Sequence, residues 1–440
     1  MRRLGQFGKH VARFAAAKGG NFGLMAAIVA PVLALAAGYG INLAQIANTR
    51  ASLIAALDAA VTSTARDLTT GVIVERDAGA TVEAFLVANG TRGFADTDRI
   101  TLDSLAIDKS AKTVSARASV TIDVAFPLFG AANRQTITTE AAALYSDRKI
   151  EIAMMLDVTG SMAGQRMRDL KLAAANAVDT MLAVNRPSNP RVRIALVPYA
   201  NAVNTGPLAH TVYAERSGSS PSEPPPFTGV VAASSAPDAC ATERESASHQ
   251  FTDAGPRTAM VNRDYRLHFC PAAALMPLTT DGSGLKARIN GFVASGHTAG
   301  PVGIQWSWYL LSPAWGDYVP AASRPAPHAQ ADVAKYAILM TDGEFNTAYA
   351  GVPDGQDVRS QASRARTHAE RLCAEMKKQG IEVFTIGFLL REAGAKATMR
   401  NCASPDGGSV QHYFETSTGA ELDAAFQTIA RNIERLALTK

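Results

Sequence analysis

Between Lys18 and Arg50 the chain has no charged side chain, and its first eighteen residues contain no acid. Cysteine is scarce, four in 440 residues, and no two stand in a C-x-x-C spacing, which removes the ligand pattern of zinc ribbons and fingers. Charged residues make up only 19%, and the net charge of +4 is not gathered into a basic arm beyond the N-terminus, so electrostatics gives no reason to expect nucleic acid. What a core needs is present: 47% hydrophobic is ordinary globular composition, and 440 residues allow more than one domain.

The charge gap frames a candidate membrane span. Arg2, Arg3, Lys9, Arg13 and Lys18 precede it, and residues 22–41 are uncharged throughout. As a helix such a stretch rises about 30 Å, the thickness of the hydrocarbon core. The pattern predicts a basic tail over residues 1–20 that stays cytoplasmic by the positive-inside rule, an anchor over 21–41, and the bulk of the chain periplasmic or extracellular. Ala34-Leu35-Ala36 has the small-x-small form of a signal-peptide cleavage site, the rival reading. The apolar face that runs on through Leu43, Ile46, Leu53, Ile54, Leu57 and Val61 favours a retained helix. In an oxidising compartment four cysteines read as two disulfides. Three connectivities are open, and the nearest-neighbour one, Cys240 with Cys270 and Cys373 with Cys402, is preferred.

Residues 42–147 read as a membrane-proximal module of one helix, continuing to about Leu68, and a small antiparallel sheet. In it Val114, Ala116, Ala118, Val120, Ile122 and Val124 recur at period two. From Lys149 apolar strands alternate with amphipathic helices, the pattern of an α/β fold with a doubly wound, mostly parallel sheet. Strands are expected at 150–156, 192–199, 336–340 and 381–389, with a short one near Tyr413. Helices are expected at 167–182 and 358–378, followed by a last one that Thr418 and Glu421 open at capping-box spacing. This domain spans 149–436 and carries an insertion over 204–284, whose run "ERSGSSPSEPPPF" cannot hold a regular element.

In open parallel sheets ligands gather at the carboxyl ends of the strands. "LDVTGSMAGQ" puts Asp157, Thr159 and Ser161 at one such end, and "YAILMTDGEFN" puts Asp342 at another. "SGHTAGPVG" places Thr298 between a helix ending near Ser295 and one opening near Gly303. Two carboxylates brought together resist ionising unless a cation lies between them. The donors Asp157, Thr159, Ser161, Thr298 and Asp342 are all oxygen, which suits Mg²⁺ first, with Mn²⁺ or Ca²⁺ as alternatives, and not zinc or copper. With few carboxylates on it the ion keeps net positive charge and an open position, which a carboxylate from a partner protein can complete.

The bland alternative is a hydroxyl-rich strand end that merely caps the next helix. A triad of Ser161, His297 and an Asp is disfavoured because Thr159 stands where a nucleophile elbow needs glycine, so no enzyme is expected. Trp306, Trp308, Tyr309 and Leu310 read as the buried face of a helix, His297 as a loop hydrogen-bonder and Glu344 as a solvated loop carboxylate.

The D-x-T-x-S after a first strand, the loop threonine and the Asp of "TDG" resemble the metal-ion-dependent adhesion site of von Willebrand factor A domains. That resemblance implies direct binding of the ion by Thr159, Ser161 and Thr298, with Asp157 and Asp342 holding it directly or through water. Thr159 stands where the family usually has serine and keeps the oxygen. A wider set is similar to the TadG-like proteins of tight-adherence (Flp) pilus assembly: the basic tail, "GNFGLMAAIVAP", "LDAA", "VRIALVPYANAVN", "GHTAGPVGIQWSWYLLSP", "TDGEFN" and "LDAAFQTIA". It implies a single-pass protein of the bacterial cytoplasmic membrane whose partners are pilus-assembly or envelope components. Met25 stands fifth after Gly20, where prepilin-like relatives carry a glutamate. Two other classes remain: a structural envelope protein with a vestigial metal site, and a metal-dependent hydrolase.

Overall fold

The computed structural model describes residues 22–69, 72–90, 99–126, 133–146, 148–186, 190–215, 239–330, 332–407 and 410–439. The basic tail therefore lies outside the described residues. Tertiary contacts divide the chain into two units, Met1–Tyr145 and Ser146–Lys440.

The first unit is built on α1 (Phe22–Thr69), which contains Pro31. Early in this helix the apolar side chains point outward, Met25 being 62% and Leu33 63% exposed. Further along, Leu53, Leu57, Val61 and Leu68 are buried against Val82 and Leu86 of α2 (Ala78–Gly90). The same core takes in Val114, Val120 and Ile137 from an antiparallel sheet of β1 (Arg99–Asp108), β2 (Thr113–Asp123) and β3 (Arg134–Leu144), in that order. The expected single helix is thus two. The sequence AGATVEAFLVANG carries too thin an apolar stripe for its period to stand out.

The second unit contains β4 (Lys149–Asp157), α3 (Gln165–Leu182), β5 (Val192–Tyr199), β6 (Val203–Asn204), β7 (Val212–Ala214), β8 (Cys240–Ala241), β9 (Val261–Arg263) and β10 (Met276–Thr279). There follow α4 (Gly282–Asn290), α5 (Gly300–Tyr309), β11 (Val333–Thr341), α6 (Ala362–Lys378), β12 (Glu382–Phe388), α7 (Ala393–Cys402), β13 (Tyr413–Thr416) and α8 (Gly419–Thr439). The main sheet runs β13-β12-β11-β4-β5-β6-β8, with β10 also on β5. Strands β13, β12, β11, β4 and β5 are parallel, while β6 and β10 meet β5 antiparallel. The unit is therefore a doubly wound, mostly parallel α/β sheet.

Both faces are covered, which explains the strands' unbroken apolar runs. Ile152, Met154 and Leu156 of β4 pack with Leu170 of α3, Leu285 of α4 and Phe426 of α8. Ala153 and Met155, pointing the other way, pack with Val302 and Trp306 of α5 and Leu372 of α6. Every residue of α5 is buried, including Trp306, Trp308 and Tyr309. Across three adjacent strands the register aligns Lys335, Glu151 and Arg193. Lys335 Nζ lies 2.7 Å from Glu151 Oε2, and Arg193 holds the other oxygen.

Three boundaries differ from the sequence expectation. A helix over 358–378 is divided: Asp357 accepts the Arg359 N–H at 2.9 Å to cap a short turn, Val358–Ser360, and Gln361 leaves helical geometry before α6 begins. The loop holding Thr298 is longer than expected, because Gly291 ends α4 and Pro301 sits in the first turn of α5, where its missing N–H costs nothing. Ser295 instead donates its N–H to Val158 O at 2.9 Å. Within the insertion residues 216–238, most of the Pro/Ser run, lie outside the described residues. The remainder contributes β8 and β10 to the main sheet and pairs β7 with β9. Cys240 is bonded to Cys270 and Cys373 to Cys402, with Cα separations of 5.9 and 5.0 Å.

Candidate metal centre

The crossover after β4 leads to β5 on one side, whereas the one after β11 leads to β12 on the other, and this reversal opens a crevice at the strands' carboxyl ends. Asp157 ends β4, Thr341 ends β11 and Tyr199 ends β5, the last lying opposite Asp157 in register. Asp157 is fully buried. Its Oδ1 accepts the Thr159 N–H at 2.9 Å and hydroxyl at 2.6 Å. Its Oδ2 accepts the Thr341 hydroxyl at 2.8 Å, the Tyr199 hydroxyl at 3.0 Å and the Asp342 N–H at 3.4 Å.

From this floor the network climbs toward solvent. Thr159 Oγ1 is 2.9 Å from Ser161 Oγ, which donates to Asp342 Oδ1 at 2.6 Å. Thr159 and Asp342 are buried and Ser161 is exposed, so the constellation opens at the serine. Side-chain hydrogen bonds thus join Asp157, Thr159, Ser161 and Asp342. Thr298, also buried, sits on the adjoining loop and is fixed through its backbone. Its N–H donates to Asn346 Oδ1 at 3.2 Å and its carbonyl accepts the Asn346 N–H at 3.0 Å. That loop reaches the Ser161 turn where Gly160 N–H donates to Gly296 O at 3.0 Å. Gly296 takes φ +82°, left-handed backbone that a side chain would strain.

Burial, and after it the charge of Asp342, push the Asp157 carboxyl up to about 6 against the opposing hydrogen bonds from Thr159 and Thr341. Burial also drives the Tyr199 phenol well above its ordinary value, so it stays a donor. The second carboxylate is not left alone: Arg166 Nη1 lies 2.7 Å from Asp342 Oδ2. A buried carboxyl raised by a neighbouring acid, ringed by hydroxyl oxygens and open on one side, fits a hard divalent cation. Asp157, Thr159, Ser161, Thr298 and Asp342 are the residues that would hold it.

Sequence reasoning passed over Tyr199, Thr341, Arg166 and Asn346. Thr341 had a readable signal, since it directly precedes Asp342 at the strand end; Tyr199 needed the strand register. Glu344 is held by Arg366, and Asn201 Oδ1 accepts the His297 backbone N–H at 2.6 Å. Beside the loop lies a cleft of about 770 Å³ lined by Asn201, Arg266, Phe269, His297, Tyr349 and Asp357, among others. A separate acidic group brings carboxylate oxygens of Glu215, Glu245 and Asp264 within 4.8 Å of one another. Arg266 neutralises Asp264, and burial followed by the charges of Glu215 and Asp264 pushes Glu245 up to about 9.

No family model and no curated protein matches the sequence. Solved structures similar to it include the von Willebrand factor domain of the type V pili tip protein Mfa5 from Porphyromonas gingivalis. That likeness has 16% identity and a TM-score of 0.38 and covers 67% of this chain and 97% of the other. Another is the pilus adhesin SpaC from Lactobacillus rhamnosus GG, at 12% identity and TM-score 0.38, over 79% of this chain and 35% of SpaC. A third is proximal thread matrix protein 1 of the mussel byssus with a zinc-occupied metal-ion-dependent adhesion motif, at 14% and 0.30, over 66% of this chain and 46% of the mussel protein. The α/β fold and the site of this chain rest on its own strands and residues.

Proposed function

We propose that this protein is a membrane-anchored, exported binding component of a bacterial surface fibre, of the tight-adherence (Flp) pilus-assembly kind, that recognises a protein partner through a divalent cation. The observation that carries the reading is the hydrogen bond of 2.6 Å from Ser161 to Asp342, which joins residues 181 apart in sequence into one oxygen-lined site opening on solvent. When bound, the ion supplies a positive centre for an incoming carboxylate, and the all-oxygen donors favour Mg²⁺. Asp157 forms the floor, oriented by Tyr199 and Thr341; Thr159, Ser161 and Thr298 offer neutral oxygens that leave the ion net positive.

The role is binding and not catalysis. The Ser161 hydroxyl is engaged by Thr159 and Asp342, where a nucleophile would need an imidazole to take its proton. The anchor is supported by α1, which is long and apolar enough to cross a membrane and leaves Met25, Ile28, Val32 and Leu33 exposed. Basic residues ahead of it set the tail in the cytoplasm.

Calorimetric titration of the full-length protein in detergent with Mg²⁺ and Mn²⁺ tests the site. Wild type should bind one ion, Asp157→Ala none, and Thr298→Ala one ion more weakly. Absence of binding by wild type at millimolar metal would replace this reading with that of a structural envelope protein.

A further inference from the structure

Among the described residues Arg166 is the one cation hydrogen-bonded to the side chains of the metal constellation. It lies in the first turn of α3, five residues after Ser161. Its Nη1 is 2.7 Å from Asp342 Oδ2 and 3.5 Å from the Ser161 carbonyl. Asp342 is thereby divided: one oxygen accepts the Ser161 hydroxyl and the other accepts a full positive charge. Asp157 differs, since its five donors are hydroxyls and backbone N–H groups, all neutral.

The placement is not explained by the helix that carries it. A cation in the first turn faces the positive end of the helix dipole, where an acid would be favoured. Nor is the guanidinium locked in: its side chain is 29% exposed, while that of Asp342 is wholly buried. A long, flexible side chain reaching from solvent onto a buried carboxylate can leave without opening the core.

We infer that Arg166 is the counter-charge of the site: it shares Asp342 with the divalent cation, holding Oδ2 while Oδ1, bonded to Ser161, faces the ion's seat. The inference rests on the cation reading above. It makes Arg166 a positioning residue that holds ion affinity down, because a unit charge within a few ångströms of the ion repels it and draws on the same carboxylate. Its second effect is the reverse. By neutralising Asp342, Arg166 relieves the repulsion between the two carboxylates and so stabilises the fold whenever divalent metal is scarce.

Two variants of the full-length protein in detergent, Arg166→Gln and Arg166→Lys, test this by Mn²⁺ titration and by thermal unfolding in EDTA and in saturating Mn²⁺. Arg166→Gln removes the charge and should bind Mn²⁺ about tenfold more tightly than wild type. Arg166→Lys keeps the charge and should stay within about twofold. In EDTA, Arg166→Gln should melt below wild type, and saturating Mn²⁺ should erase the difference. A merely structural role would lower the melting temperature in both conditions and leave affinity unchanged. Equal or weaker Mn²⁺ binding by Arg166→Gln overturns the inference while the cation reading stands. No binding by either protein overturns both.

Discussion

Glu245 and Asp157 are both carboxyls raised by burial and by neighbouring acids, and what separates them is their partners. Asp157 accepts five donors and reaches only about 6, whereas Glu245 is pushed to about 9. A carboxyl raised in the fold contributes stability that is fully present below its ordinary 4.5 and is lost as pH rises toward 9. Glu245→Gln fixes the neutral form. Its melting temperature should match wild type below about pH 4.5 and exceed it increasingly up to pH 9. An offset independent of pH would show that Glu245 does not titrate in this way. Glu151 lies between two cations, Lys335 and Arg193. Glu151→Ala leaves Lys335 and Arg193 uncompensated and should cost about 3–5 kcal/mol in denaturant unfolding, because a charge buried without its partner keeps its desolvation penalty.

At the scale of elements, the parallel strands were legible because burial on both faces leaves continuous apolar runs, as in "IAMML" and "YAILM". The short strands β6, β8 and β10, of two to four residues each, were not: no periodicity develops over so few positions, and their pairing is decided by the strand they lie on. The site follows the same division. Asp157, Thr159, Ser161 and Asp342 stand out as oxygens placed directly after apolar strands. Tyr199 could be found only once β4 and β5 were aligned, and Arg166 only once α3 was seen to begin beside β11's end. The disulfide between Cys373 of α6 and Cys402 of α7 closes a loop of 29 residues. Replacing both cysteines by alanine should lower stability by about 3–4 kcal/mol in the chain-entropy model. Peptide mapping without reductant should recover the two as one cross-linked pair; a free thiol at either position contradicts the bond.

For the whole molecule, early α1 leaves its apolar side chains exposed and is long and apolar enough to cross a membrane. A reporter fused after Lys440 should behave as exported, and the purified protein should retain residues 22–41; a mature chain starting at Ala37 would mean cleavage instead of anchoring. Whether the crevice between β4 and β11 holds a divalent cation can be seen by anomalous diffraction from crystals grown with Mn²⁺. A single anomalous peak should appear bounded by Asp157, Thr159, Ser161, Thr298 and Asp342, and be lost in Asp157→Ala. A peak at Glu215, Glu245 and Asp264 with none at the crevice, or no peak at all, would contradict the cation reading.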